Sequence, residues 1–524
     1  VENPMAPQTL SYLLPEELDL DGFRHQLAES FTLREDAPTE GGQVFFDSFD
    51  WRIWQAGGEL VQEQEGITRL CWIDRRSGEH QQCEVSDISP AFAKDLPDGP
   101  LRERLLPVLE MRTLLPQVRI SQEIRTLRVL DDEEKTVVRV VLLDNRYVSA
   151  DGKQQGSLDG RVQLKSLKGY DEYFDSLRAV LDKMGLKLSE LSLYEDALAG
   201  LERVPGDYSS KLNYRLDPDA RSDATAKKIM LSLLNTLEAN VPGTKADLDS
   251  EFLHDLRVAT RRTRSAMTQI KAVFDPEELA PFKEGFAWIG KVTGPTRDMD
   301  VYLLQFDEYK ASLPPAVQAD LDPFRAFVER HHEAEQKALV KKLNSPHFRK
   351  LMKSWRAWLN RPVPKKPTAP NALRPVAKLA DQRISKLYGK VMKDGGKIMP
   401  GSPAEMLHDL RKDCKKLRYL MEFFQSLYPK PQIRGLIKEM KILLDNLGEF
   451  QDLQVQAESL EGFGKQMMQE GAPASALMAM GILVGDLFER QAKAREEFAD
   501  LFAAFSSDET VSYTHLTLPT TRLV

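Results

Sequence analysis

Apolar residues recur along this chain in two rhythms. Over residues 1–200 they come in short runs rich in β-branched and aromatic side chains, at 43–46, 68–73 and 136–142. Turn signals such as Ser77-Gly78 and Asp151-Gly152 separate these runs, which predicts strands. A helical rhythm at 170–184, closing at Gly185, predicts a helix, and the acidic cluster at 131–134 predicts a solvated loop. From Ser222 to about Ser506 the rhythm is helical almost throughout, with Pro and Gly collecting at Pro242-Gly243, Pro314-Pro315 and 360–370. The expected organisation is an α+β part at 1–205, a linker at 206–221 and an all-α part at 222–506, with halves of about 222–360 and 371–506. At 507–524 the helical rhythm stops and Thr and Leu dominate, so this segment reads as a non-native tail.

The all-α part repeats itself. His254, Arg257, Arg261 and Arg264 stand at i, i+3, i+7 and i+10, and His408, Arg411, Lys415 and Arg418 reproduce that spacing 154 residues later. On a helix these four positions share an arc of about 80° and rise about 15 Å along the axis, a ladder of cations headed by an imidazole. Leu256, Met267 and Ile270 in the first copy, and Leu410, Leu417, Met421 and Phe424 in the second, form the opposite apolar face. Asp298 and Asp452 each follow their ladder histidine by 44 residues. Two landmarks at one offset predict two related helical bundles with a pseudo-twofold relation.

Like charges this close repel, so the ladders point to a polyanion. Arginine grips phosphate oxygens bidentately, lysine acts as a point charge, and a ladder histidine would donate to phosphate and be held protonated by it. Residues 1–205 hold 24 Lys+Arg against 38 Asp+Glu, and the remainder 48 against 42, so the basic excess lies with the ladders. Lys291 and the series Arg383, Lys386, Lys390 would widen the basic surface, as would Lys227 and Arg356. Asp298 and Asp452 are expected each to pair with an arginine of its own ladder. His331-His332 is a weak metal candidate. Cys71, Cys83 and Cys414 have neither metal spacing nor a disulfide framework. The absence of a long apolar run argues against a membrane span, and together with the N-terminal sequence it suggests the cytoplasm.

These residues resemble the CHAD family, the conserved histidine α-helical domain, over roughly 222–506. Both His-x-x-Arg-x-x-x-(Arg/Lys)-(Arg/Lys)-x-Arg helices are present, and Arg297-Asp298-Met299-Asp300-Val301 is similar to that family's Arg-Asp-x-Asp-Val. The resemblance implies two four-helix bundles around a basic cavity that binds inorganic polyphosphate. Its contacts would be His254, Arg257, Arg261, Arg262 and Arg264, with His408, Arg411, Lys412, Lys415, Lys416 and Arg418 in the second half. Gln451 and Gln454 depart from the pattern where the first half has Arg297 and Asp300.

Residues 1–205 look like a degenerate CYTH domain, a triphosphate-tunnel β-barrel. Phe45-Phe46-Asp47-Ser48, Gly57-Gly58-Glu59-Leu60, 135–139 and 167–170 carry the likeness. The family's Glu-x-Glu-x-Lys falls on Pro7, Thr9 and Ser11, and its Leu-Arg-x-Arg on Val61, Gln62 and Gln64. A triphosphatase needs carboxylates for a divalent metal and cations for phosphates. The expectation is therefore no hydrolysis, no catalytic residue and no cofactor, with a divalent metal only if this part is active. The leading reading is polyphosphate binding, with placement at polyphosphate granules. The alternatives are a triphosphatase or other phosphohydrolase, and a general polyanion or RNA binder. Against the last, the ladder face lacks aromatic stacking residues and base-edge readers.

Overall fold

The β-branched runs build an antiparallel sheet in the first unit of this computed structural model, which describes residues 9–507 apart from 16, 66, 86–90 and 213. The expected tail at 508–524 and the motif position Pro7 lie outside the described residues. The chain separates into two units between Ser209 and Ser210.

The strands of the first unit are β1 (Thr9–Leu13), β2 (Thr32–Glu35), β3 (Thr39–Asp47), β4 (Gly58–Glu65), β5 (Ile67–Asp74), β6 (His80–Glu84), β7 (Leu115–Leu130), β8 (Thr136–Ser149), β9 (Gln155–Ser157), β10 (Arg161–Ser166) and β11 (Lys187–Leu188). They are ordered β11-β1-β10-β8-β7-β3-β4-β5-β6, with β2 added to β7 and β9 to β8. The helices are α1 (Leu20–Ala28), α2 (Arg52–Gln55), α3 (Pro100–Leu109), α4 (Asp171–Lys183) and α5 (Leu193–Gly200). Three expected strand runs fall in β3, β5 and β8, and the expected helix is α4. The 131–134 cluster is the exposed β7–β8 turn, with Glu134 at φ 59°.

Period-two alternation gives the sheet two apolar faces. Val140 and Leu142 of β8, with Val162 and Leu164 of β10, are covered by Phe23 of α1 and Phe174, Leu177 and Leu181 of α4. Leu60, Leu70 and Trp72 meet Leu101, Leu105 and Leu109 of α3. On the opposite side Phe45, Val61 and Ile120 are covered by Tyr194, Ala197 and Leu198 of α5. The Tyr194 ring stacks on Phe45 with centroids 4.7 Å apart.

The helices of the second unit are α6 (Ser222–Ala246), α7 (Ser250–Gln269), α8 (Pro276–Val292), α9 (Gly294–Ser312), α10 (Asp322–Leu343), α11 (Pro346–Asn360), α12 (Val376–Gly395), α13 (Ala404–Phe424), α14 (Lys430–Gln469) and α15 (Ala474–Phe505). The repeat is visible in their starts. Helices α6 and α12, α7 and α13, and α8 and α14 each begin 154 residues apart. The copies differ at Thr293-Gly294-Pro295. Proline has no N–H to give the preceding turn, so α8 ends and α9 begins there. The second copy has no proline at that place, and α14 continues without a break.

Each apolar core of this unit draws on both repeats. One joins α6, α7, α8 and α11 to α12, α13, the first half of α14 and the end of α15. The other joins α9 and α10 to the second half of α14 and the start of α15. Two expectations are corrected. Pro242-Gly243 does not separate helices but lies in the last turns of α6, where a Cβ on Gly243 would stand 2.3 Å from the Phe252 ring. The segment expected as a linker is not free over its second part. Leu212 and Leu216 are buried in the larger core, and the Leu216 N–H donates to Ser426 Oγ.

Candidate anion-binding site

Asp249 starts the first ladder helix by accepting hydrogen bonds from the N–H groups of Glu251 and Phe252. The apolar stripe then fixes its rotation. Leu256, Met267 and Ile270 are buried, as are Leu410, Leu417, Met421 and Phe424 of α13. Rotation so fixed turns the ladder positions away from the core. Helices α7 and α13 are in contact, which brings the repeats together at their ladders.

Arg261 and Arg264 of α7 are exposed and make no ion pair within 4 Å among the described residues. Lys415, the repeat partner of Arg261, is half-buried and likewise makes no ion pair within 4 Å among the described residues. Burial, with the charges of Arg411, Arg261 and Arg418 acting against the ammonium, lowers its pKa to about 8. Arg261 reaches it from the other repeat, so the two ladders share one positive field.

The two inner rungs differ in their partners. Arg257 donates to Gly290 O at 3.2 Å and to Thr293 Oγ1 at 2.8 Å. Burial, and then repulsion from Arg261, lowers its pKa. Arg411 donates to Gln451 Oε1 at 3.0 Å and pairs with Asp452 at 3.1 Å. A Cβ on Gly294 would stand 3.8 Å from the Arg257 guanidinium, and one on Gly448 3.5 Å from that of Arg411. These two glycines are themselves 154 residues apart, a sequence signal the ladder analysis passed over.

The histidines differ in a way the spacing did not reveal. Arg297 Nη2 donates to His254 Nδ1 at 3.2 Å. A guanidinium has no acceptor, so His254 Nδ1 must accept and the ring proton sits on Nε2. His254 is therefore neutral while this bond lasts. At His408 the partner is Gln451 Oε1, whose identity as oxygen is fixed by the Arg411 donor beside it. His408 Nδ1 therefore donates, and its Nε2 keeps a lone pair or a second proton. Gln451 occupies the place of Arg297 with the opposite hydrogen-bond polarity.

Several expected contacts are committed elsewhere. Arg262 donates to Ser210 O at 3.0 Å and to Glu422 Oε2 at 2.9 Å, and Arg418 pairs with Glu422 Oε1 at 3.1 Å. Lys412 pairs with Asp409 at 3.1 Å and Lys416 with Asp413 at 2.7 Å, and Asp413 also takes Lys390. Arg383 donates to Gln269 O at 2.9 Å, Lys227 to Trp358 O at 2.8 Å, and Arg356 to Asn235 at 2.8 Å. Lys291 and Lys386 are exposed. The expected pairing holds for Asp452 but not for Asp298, which makes no ion pair within 4 Å among the described residues. The α8–α9 break at Thr293 supplies Arg257 with a hydroxyl and a carbonyl oxygen instead. His332 is no metal ligand in waiting. Its Nε2 lies 2.8 Å from Asp300 and its Nδ1 3.9 Å from Asp247, and the Asp300 bond raises its pKa. His331 Nδ1 bonds Phe327 O at 2.9 Å. Among the described residues no group of three His, Cys, Asp or Glu is placed to hold a metal, the three cysteines are free, and no helix is long and apolar enough to cross a membrane.

Comparison with known proteins gives the helical unit a relative. Residues 228–461 match the family model of the CHAD domain. No curated protein matches the chain. Among solved structures, the CHAD domain from the plant Ricinus communis is 25% identical, with 56% of this chain and 95% of that one covered and a TM-score of 0.48. PptA from Streptomyces chartreusis is 16% identical, with 54% and 99% covered and a TM-score of 0.40. A putative adenylyl cyclase from Hippeastrum, described as having a dominant triphosphatase activity, is 11% identical, with 39% and 100% covered and a TM-score of 0.26.

Proposed function

We propose that this protein, whose residues 228–461 match the family model of the CHAD domain, binds inorganic polyphosphate along the joined ladders of α7 and α13, and that such binding places it at polyphosphate granules. One observation carries the reading. Arg261 and Lys415 meet from the two repeats with no ion pair within 4 Å among the described residues, Arg264 continues the first ladder likewise unpaired, and the Lys415 ammonium is held in an unfavourable field that an anion would reverse. Arg257 flanks them on hydroxyl and carbonyl oxygens, partners that a phosphate oxygen can replace with a stronger charge-assisted bond, while Arg411 is shared between the Gln451 amide and the Asp452 carboxylate. His254 and His408 head the two ladders, while Lys412 and Lys416 stand to one side. Ladders of this rise suit a chain of successive phosphates better than one phosphate in a pocket.

The test is binding of long-chain polyphosphate, with tripolyphosphate and single-stranded RNA as competitors, to wild type and to Arg261→Ala/Lys415→Ala. The expected result is salt-sensitive binding that RNA displaces poorly and that the double variant weakens at least about tenfold. Equal competition by RNA would make the site a general polyanion binder. Unchanged affinity in the double variant would place the site elsewhere.

A further inference from the structure

The two ladders end differently. From Arg411, the positions i+4, i+7 and i+11 are Lys415, Arg418 and Glu422, which share one helix face. A carboxylate thus stands on the line of the second ladder. Its side chain is 16% exposed, with Oε1 3.1 Å from Arg418 and Oε2 2.9 Å from Arg262 of α7. The position 154 residues earlier is Thr268, whose hydroxyl donates to Arg264 O in its own helix and leaves the Arg264 guanidinium without an ion pair among the described residues.

We infer that Glu422 is a stop on the anion track. It holds the last cation of the second ladder and the off-line arginine of the first, so a bound polyanion runs from Arg264 through Arg261 to Lys415 and Arg411 and gains nothing at Arg418 or Arg262. A phosphate approaching Arg418 meets a carboxylate already seated on both guanidiniums, and like charge turns it away. The track is therefore asymmetric although the fold is a repeat, and Glu422 sets how many cations the ligand neutralises. This rests on the polyphosphate reading and adds to it the residue that limits the site.

The test measures long-chain polyphosphate affinity against salt for wild type, Glu422→Gln, Arg418→Gln and the double variant Glu422→Gln/Arg418→Gln. Glu422→Gln keeps a hydrogen-bonding side chain of the same size, and Glu422→Thr, the repeat's own residue, serves as a second variant if thermal melting shows the first to be unfolded. The expected result is about three- to tenfold tighter binding on removal of the carboxylate, with the salt dependence steeper by about one unit per released cation. Arg418→Gln alone is expected to weaken binding much less than Lys415→Ala, yet to cancel the gain in the double variant. Folded Glu422 variants with unchanged affinity and slope would overturn the inference, as would Arg418→Gln weakening binding as much as Lys415→Ala. Failure of wild type and Glu422→Gln alike to bind would overturn the polyphosphate reading, and this inference with it.

Discussion

Lys415 reports on the occupancy of the site through its proton. In the folded chain burial and the arginines around it lower the amine to about 8, well below its ordinary value. The charged form is thus disfavoured by folding, and the penalty is fully present below about pH 8 and fades as pH rises through that value. A bound polyanion reverses the field and raises the pKa again, so binding above pH 8 must take up a proton. Titration calorimetry at about pH 8.5 in buffers of different ionisation enthalpy should show uptake in wild type and little in Lys415→Arg, whose side chain is charged in both states. Equal uptake in the two would assign the proton to another group. The histidines allow a second check that needs no ligand. Long-range proton–nitrogen correlations should show His254 with its proton on Nε2 and His408 with one on Nδ1. Arg297→Gln should allow His254 the His408 arrangement, and two identical rings in the wild type would refute the polarity difference argued from Arg297 and Gln451. Spacing placed both histidines on their ladders, but only the partners across the helix pair tell them apart.

Helix α7 holds its arginine through a fault in its neighbour. Where α8 stops, the Thr293 hydroxyl donates to Ile289 O and accepts from Arg257, two bonds of 2.8 Å. Thr293→Val keeps the shape and removes the acceptor from a largely buried guanidinium, so it should destabilise the protein by about 1.5–3 kcal/mol. Chemical denaturation measures this, and a change under about 0.5 kcal/mol would mean that Gly290 O alone is enough. Much at this level was legible. The 154-residue offset, the apolar stripes of α7 and α13 and the break at 360–370 all follow from side-chain periodicity and punctuation. What sequence could not supply is what lies opposite a given side chain. Asp298 has the right spacing to serve Arg257, yet the broken helix gives Arg257 a hydroxyl instead, while the unbroken α14 leaves Asp452 to Arg411. Glu422 was readable in part, since a glutamate four residues after an arginine is a common helical pair, but its second grip on Arg262 depends on the packing of α7 against α13. Pro242-Gly243 misled because a proline near a helix end is tolerated and the glycine was needed for the Phe252 ring.

Taken as a whole, the chain is acidic, with a net charge of −8, and yet the site proposed for it takes a polyanion. Net charge governs approach over distances longer than the screening length, about 8 Å at physiological salt, while the ladders act at contact. The division of charge between 1–205 and the remainder made the two units legible before their folds were known. The content of the first unit was legible only by likeness, and its chemistry has to be argued from what fills its sheet. Thr9 and Ser11 stand on β1 where the resemblance would call for carboxylates, and Val61 lies under Tyr194 and Phe45. Helix α5 thus covers with apolar surface a sheet face that a triphosphate would need charged and open. The buried cation beside it, Arg161 of β10, is already paired with Asp196 of α5, so seating a polyanion there would mean displacing both the apolar cover and that carboxylate. The 524-residue chain given tripolyphosphate with magnesium or manganese should therefore release phosphate no faster than the metal alone. Turnover that persists in the Arg261→Ala/Lys415→Ala variant would mean that the α5 face opens in solution, and it would assign the first unit a catalytic role that its β1 and β4 side chains do not supply.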